Sequence, residues 1–404
     1  MDLATAPQTA FDSPASGDGV DWPDESTGQS AAPAPISLSD GVHTLTAAEA
    51  QMPAFRQAWA ILAQRAAEPN SFFEDWFLLP SITAFGRASG LSVMALYQGG
   101  ALVGLMPVTA STDYYGHRLP HIAAWLHENA FCGAPLIARG HEDYFWRSVL
   151  GALDRHNRTA LFAHLPALPV DGPAFRSLQN VCAEDGRRAV IVDTRTRAML
   201  MSRKSSAAYS ADALSKKHRK ELARQMRRLA EHGAVEVTRA CNAEGLGAWA
   251  QSFLKLEASG WKSEAGTALA TSEAAARFFV SVIEGAGAEG RLERLTLSLA
   301  GRPIAMLATF LSAPGAYSFK TAYDESLARY SPGLQLQLEY LATLDRGDAR
   351  WTDSCAAEGH PMISRLWQQR RSLVSCNVAL GGGLRRALAR PLMAYETRKK
   401  AVRR

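Results

Sequence analysis

The chain of 404 residues is long for a single core and suits two domains. Hydrophobic residues make up 47%, which excludes wholesale disorder, and a net charge of +5 is too small for a general nucleic-acid coat. The basic surplus is instead local, in "LSKKHRKELARQMRRL" at 214–229 and in the tail "ETRKKAVRR", which points to contact with anions in patches.

Residues 1–35 are rich in Ala, Pro, Ser, Asp and Gly and read as a disordered tail, because they have little apolar surface to offset ordering entropy. A first strand is predicted at "PISL" (35–38). Apolar residues at helical spacing in 46–67 predict a helix that ends before Pro69. A second helix follows at 71–86, with a bend near Pro80. "LSVMALYQ", "GG" and "ALVGLMPVT" predict a hairpin of two apolar strands over 91–109. Residues 114–136 read as a long irregular stretch with room for one strand. A helix (142–156), a strand (159–165), a helix (173–186) and a strand (187–193) complete the first half.

The second half repeats that order. The basic helix comes first and stops at Gly233, and a strand at 234–239 follows it. Helices are predicted at 243–260 and 272–287, and a second hairpin at 291–311. A third strand (316–323), a helix opened by Pro332 and Gly333 (333–347), a strand (349–354), a helix (361–371) and a strand (372–380) end the pattern. The two hairpins align at a shift of about 200 residues. A repeated order of about ten elements constrains the whole fold to two copies of one unit, in the α/β or α+β class.

The doubled order resembles a tandem of GNAT acyltransferase folds, each a mixed, mostly antiparallel sheet flanked by helices. The segments that carry the likeness are "LSKKHRKELARQMRRLAEHGAVEV", "LEASGWKSEAGTAL", "FKTAYDESLARYSPG" and "GHPMISRLWQQRR". They resemble the CelD-like acetyltransferases named after cellulose biosynthesis, and more distantly the Fem-type aminoacyl transferases. The implied organisation is a first lobe at 36–200, a second lobe with the donor site at 201–385, and a basic tail at 386–404. GNAT enzymes usually carry an Arg/Gln-x-x-Gly-x-Gly/Ala loop. Here "ARYSPGLQL" keeps one glycine, Gly333, the shortened form that the CelD-like group resembles.

Acyl transfer needs an anionic carrier held, a carbonyl polarised, a nucleophile deprotonated and an acceptor oriented. The carrier site is placed at Arg329, Tyr330, Ser331, Pro332, Gly333 and Leu334. Free amides and the positive end of a helix dipole attract phosphate there, and Gly333 permits close approach. The same residues also fit an ordinary capped helix. The resemblance assigns carbonyl polarisation to the backbone of the strand "AYSFKTAY". At that strand's exit Asp324 is a candidate base and Tyr323 a candidate acid for the leaving thiolate, although "YDES" also fits a solvated loop. Asp353 is the second candidate base and His360 the third, the latter also reading as a turn before Pro361.

Trp261 and Lys262 are candidates for the acceptor wall, although that stretch also fits a Gly-bounded loop with one packed tryptophan, and Lys320, at the exit of the strand "AYSFKTAY", is a further substrate-binding candidate. On the basic helix Leu214, Leu222, Met226 and Leu229 form one apolar stripe, with Ser215 as N-cap. By the Fem-type resemblance Arg219 would meet acceptor phosphates. His117, His121, His127 and Cys132 form no clean metal-ligand set.

The five cysteines (132, 182, 241, 355 and 376) are odd in number and contain no CxxC pair, which predicts a reducing, cytoplasmic setting. The N-terminus lacks the basic start and apolar core of a secretory signal, and no stretch is long enough to span a bilayer. The expectation is a cytoplasmic acyltransferase using acyl-CoA (acetyl-CoA) as co-substrate, with no tightly bound cofactor and no metal. Its acceptor would be a small-molecule or sugar-linked amine or hydroxyl, with polysaccharide synthase machinery as an associated partner and no DNA. Two alternatives stand beside it: a Fem-like transferase that takes its donor from aminoacyl-tRNA, and a non-catalytic accessory of exopolysaccharide synthesis.

Overall fold

A computed structural model describes residues 39–86, 90–157, 159–259 and 269–387, with 389, 391 and 393. The strand expected at 35–38, the N-terminal tail, Trp261 and Lys262, and most of the basic C-terminal tail lie outside the described residues.

The first half contains β1 (Gly41–Leu45), α1 (Ala47–Ala50), α2 (Pro53–Arg65) and α3 (Asp75–Phe85). The hairpin β2 (Ser92–Gln98) and β3 (Ala101–Tyr114) is followed by β4 (His117–Ala124) and the short β5 (Leu136–Ile137). Then come α4 (Glu142–His156), β6 (Phe162–Pro169), α5 (Pro173–Glu184) and β7 (Ala189–Leu200). The 114–136 stretch thus contains a full strand, β4. Its alternation is masked by Pro120 and Gly116, and it is held by pairing to β3 from Val108 to Tyr114. Helix α3 runs through Pro80 without ending there.

The second half opens with α6 (Ser206–Ala213), a helix not expected from the sequence, and α7 (Lys216–Ala230). It continues with β8 (Val235–Ala240), α8 (Leu246–Ala258), α9 (Glu273–Ala288), β9 (Leu292–Leu299), β10 (Arg302–Ser312) and β11 (Gly315–Tyr323). A 3-10 turn (Glu325–Tyr330) leads to α10 (Pro332–Tyr340), α11 (Thr343–Arg346), β12 (Trp351–Asp353), α12 (Ile363–Leu366) and β13 (Gln369–Ala379). The helix expected over 361–371 is therefore one turn only. Gln369, Arg370 and Arg371 already pair with Met199, Ala198 and Arg197 of β7, so cross-strand bonding outweighs the helical pattern of that segment.

The strands form one mixed sheet in the order β1-β2-β3-β4-β6-β13-β7-β12-β11-β10-β9-β8, with β5 beside β3. From either edge the order is the same: four antiparallel strands, then a parallel step, β4 to β6 or β11 to β12. At the centre the last strands are exchanged. β13 pairs with β6, and β7 pairs with β12. Helices flank the sheet. The larger apolar cluster unites Phe72, Phe77 and Phe278 with Phe310 and Phe319, and a second one packs Leu222, Leu229, Leu336, Tyr340 and Trp367 under α7, α10 and α12.

The central crossing is pinned by buried charge. Asp353 is fully buried and pairs with Arg197 of β7 and Arg371 of β13, while Arg371 also reaches Glu68 at 3.2 Å. The Arg371 guanidinium lies over the Trp351 ring at 4.4 Å. Two cations facing two carboxylates keep the net buried charge near zero, which is what makes such a cluster tolerable. Burial dominates at Glu68 and pushes its carboxyl up to about 7, against the pull of Arg371.

Candidate active site

The parallel step β11 to β12 creates the opening. The two strands pair only over Gly315–Tyr317 and Trp351–Asp353, after which they diverge. Open α/β sheets bind ligands where parallel strands part at their carboxyl ends. A register shift at Ala308/Thr309 adds to the divergence: Lys320 pairs with Ala308 and Ser318 with Thr309, so Phe319 is an extra residue on β11. Such a bulge bends its strand and re-aims the neighbouring side chains.

On one face, α10 begins at the carboxyl end of β11. Ser331 takes the left-handed conformation (φ 54), and its side chain makes no cap hydrogen bond. The first intrahelical bond runs from the Gln335 N–H to the Ser331 carbonyl, which leaves the Gly333 and Leu334 amides ahead of it. These residues open into a cavity of about 360 Å³ lined also by Leu214, His218, Tyr323, Met362 and Arg365. A Cβ at Gly333 would stand 3.2 Å from Tyr323 Cδ1 and 3.6 Å from Met362 Sδ, so a glycine keeps this mouth clear. Burial and then Glu325 raise the Tyr323 phenol above its usual range, so it keeps its proton at neutral pH.

A second cavity, of about 610 Å³, lies beside the strand exchange. It is lined by Leu126, His127 and Phe131 of the first half, by Arg195 and Arg197 of β7, and by Cys355–Glu358. The segment after β12 joins the two cavities, with Cys355–Glu358 in this one and Pro361 and Met362 in the first. Lys320 reaches the same region, 5.8 Å from the Phe131 ring and 5.7 Å from that of Phe319.

The named candidates divide accordingly. Tyr323, Ser331, Pro332, Gly333 and Leu334 are brought together at the first cavity. His360 is half-buried on the segment between the two and lines neither. Asp353 is enclosed, with both oxygens engaged by Arg197, Arg371 and the Cys355 N–H. Asp324 caps the 3-10 turn, accepting from the Ser326 N–H and hydroxyl, and pairs with Arg302 at 2.9 Å. Burial works against its charge, but the Ser326 and Arg302 bonds prevail and hold it below the usual carboxylate range.

Tyr330 is buried, with its hydroxyl 2.8 Å from His232 Nε2, and Arg329 lies over its ring. Arg219 is exposed and does not line the first cavity; its neighbour His218 does. Helical phase decides between them, because Leu222 and Leu229 fix which side of α7 faces the core. His218, Met362 and Arg365 lie within segments that carry the resemblance, His218 four residues from both Leu214 and Leu222 of the apolar stripe, whereas Phe131 has no signal beyond loop composition.

His127 is a packed residue. Ser81 gives its only proton to the Phe77 carbonyl, so His127 Nε2 must donate to Ser81 Oγ, at 3.0 Å. Burial, then the Lys320 charge, push its imidazole down to about 3. His121 stacks on Phe162 at 5.2 Å instead of approaching a ligand set.

Residues 216–358 match the family model of an acetyltransferase (GNAT) domain. That span contains α7, the bulged β11, the α10 mouth and β12. No curated protein matches the chain. Among solved structures, FemX is similar over 84% of this chain and 98% of its own, at 10% identity and a TM-score of 0.54. A conserved Bacteroides thetaiotaomicron protein of unknown function is similar over 84% of this chain and 99% of its own, at 11% identity and a TM-score of 0.51. The C-terminal domain of an Agrobacterium fabrum protein named as a lysylphosphatidylglycerol synthetase covers 85% and 95%, at 12% identity and a TM-score of 0.50. At such identities the likeness is one of fold. Residues 216–358 therefore match a GNAT domain, and the chain as a whole has a mixed α/β fold like that of these structures.

Proposed function

We propose that this chain is an acyltransferase that moves an acyl group from acyl-CoA to an amine or hydroxyl acceptor. The observation that carries the reading is the α10 mouth. Two amides stand free of intrahelical acceptors behind a left-handed Ser331 and a side-chain-free Gly333, next to a parted parallel strand pair. A pyrophosphate fits such a helix end. Two lobes, divided near residue 200 and sharing the central strands, give the donor side to the second half. The larger cavity, with walls from both halves, takes the acceptor.

In this reading the amides of Gly333 and Leu334 hold the carrier's phosphates. His360 takes the proton from the acceptor as its nitrogen or oxygen attacks the thioester carbon. The carbon–sulfur bond breaks, and Tyr323 gives its proton to the departing thiolate. Asp324 and Asp353 serve structure: the first caps a turn, the second closes the strand exchange. The resemblance to CelD-like proteins favours a sugar-linked acceptor, and the odd, scattered cysteines favour a cytoplasmic site of action. A thermal-shift titration tests the donor. Acetyl-CoA is expected to raise the unfolding midpoint of the wild type. Gly333→Val is expected to weaken that binding by tenfold or more, read as the acetyl-CoA-induced shift relative to the variant's own ligand-free midpoint. Equal responses of the two proteins would overturn the assignment.

A second reading keeps the fold and takes the acyl group from aminoacyl-tRNA. It is supported by the exposed face of α7, where Lys216, Lys217, Arg219, Lys220, Arg224, Arg227 and Arg228 all reach solvent. It predicts salt-sensitive binding of tRNA and no response to acetyl-CoA.

A further inference from the structure

Helix α7 passes the donor cavity and continues beyond it. His218, near its start, lines that cavity, and Arg224 and Arg228, near its end, line another of about 480 Å³. The rise between residues 218 and 228 is about 15 Å at helical pitch, and the α10 mouth lies against the stretch between. Gln335, in the first turn of α10, donates to the Leu222 carbonyl at 2.8 Å, which fixes that alignment. The other wall of the third cavity is Arg329 and Tyr330, the two residues directly before Ser331.

Charge in this cavity is unbalanced. Arg224 is satisfied by Glu221 on its own helix, and Glu231 also lines the wall. Among the described residues Arg228 and Arg329 form no ion pair with a carboxylate. Arg329 is already oriented, its guanidinium 4.7 Å from the Tyr330 ring centre, and Tyr330 is itself held by His232. Two guanidiniums lining one concavity, one of them already oriented, suit a phosphate monoester, an anion with three acceptor oxygens and more than one negative charge.

We infer that Arg228 and Arg329 seat the 3′-phosphate on the adenosine end of the CoA donor, so that this chain distinguishes CoA from its 3′-dephospho form. The inference rests on the acyl-CoA reading above. The carrier's pyrophosphate lies at the α10 amides, and its nucleoside extends along α7 away from the strand opening. The acyl end, pointing the other way, is unaffected by this contact, so it governs affinity and not chemistry.

The test is isothermal titration of the full chain with acetyl-CoA and with acetyl-3′-dephospho-CoA, for wild type and for an Arg228→Gln, Arg329→Gln double variant. Both residues are surface groups, and the circular dichroism of the variant checks its fold. The expected result is a wild-type preference of about tenfold or more for acetyl-CoA, as fits hydrogen bonds between charged groups, falling toward unity in the double variant. The preference should also shrink as salt is raised. Equal affinity of the wild type for the two compounds overturns the inference and leaves the acyl-CoA reading standing. A preference that survives in the double variant overturns the assignment to these arginines. Binding of neither compound removes both.

Discussion

Single residues around the opening show how one sequence position acquires a role from its surroundings. Asp324 is the first candidate base in the sequence and Asp353 the second; in the fold one caps a turn and the other lies in a buried ion cluster. His127 illustrates the same point with a measurable consequence. Its imidazole is neutral in the fold and would protonate near 6.5 once unfolded, against about 3 when folded. The folded value is depressed for a base, so the unfolded chain binds the proton first. The stabilisation is complete above about pH 6.5 and is lost as pH falls toward 3. Between pH 7.5 and pH 5 the loss from this group should be about 2 kcal/mol. Urea unfolding of wild type and His127→Phe at the two pH values checks it. The difference between the proteins should move by that amount in favour of the phenylalanine variant at the lower pH. Phe fits the site because Phe77, Phe85, Phe278 and Trp125 already surround the ring.

Among the elements, β13 carries the most consequence for its length. It pairs with β7 from Gln369 to Val378 and with β6 from Leu373 to Ala379. β7 runs antiparallel to β13, as β6 does, so β7 is parallel to β6 and cannot simply slide over to replace the missing strand. A chain ended after Trp367 is expected to lose cooperative unfolding and to aggregate, because two interior ladders become open edges and Asp353 and Glu68 lose Arg371. Solubility and a denaturant titration measure this. A soluble truncation with a normal transition would show that β13 is an appendage. The pattern of "PMISRLWQQRR" is helical, so this strand's early start at Gln369 was not legible. By contrast the hairpins, the amphipathic helices α4 and α7 and the Ser215 cap were, since each depends only on neighbours in the chain.

For the molecule as a whole, exchanging the last strands makes each half depend on the other. The parallel steps at β4–β6 and β11–β12 stay within one half, but the strands that close each of them come from the opposite one. Calorimetry of the described unit is therefore expected to give one unfolding transition, with calorimetric and van't Hoff enthalpies in agreement. Two resolved transitions would mean that the halves are energetically separate despite the shared sheet. By itself the sequence determined the doubled order of elements, the mixed α/β class, the glycine at the α10 mouth and the basic face of α7, because local propensity, hydrophobic period and turn chemistry act over a few residues. Only the tertiary structure decided that the final strands cross over and that Arg228 and Arg329 line one cavity. Those outcomes depend on contacts between residues about a hundred or more apart, and they are set by which apolar faces can be buried together and which charges can be paired once they are.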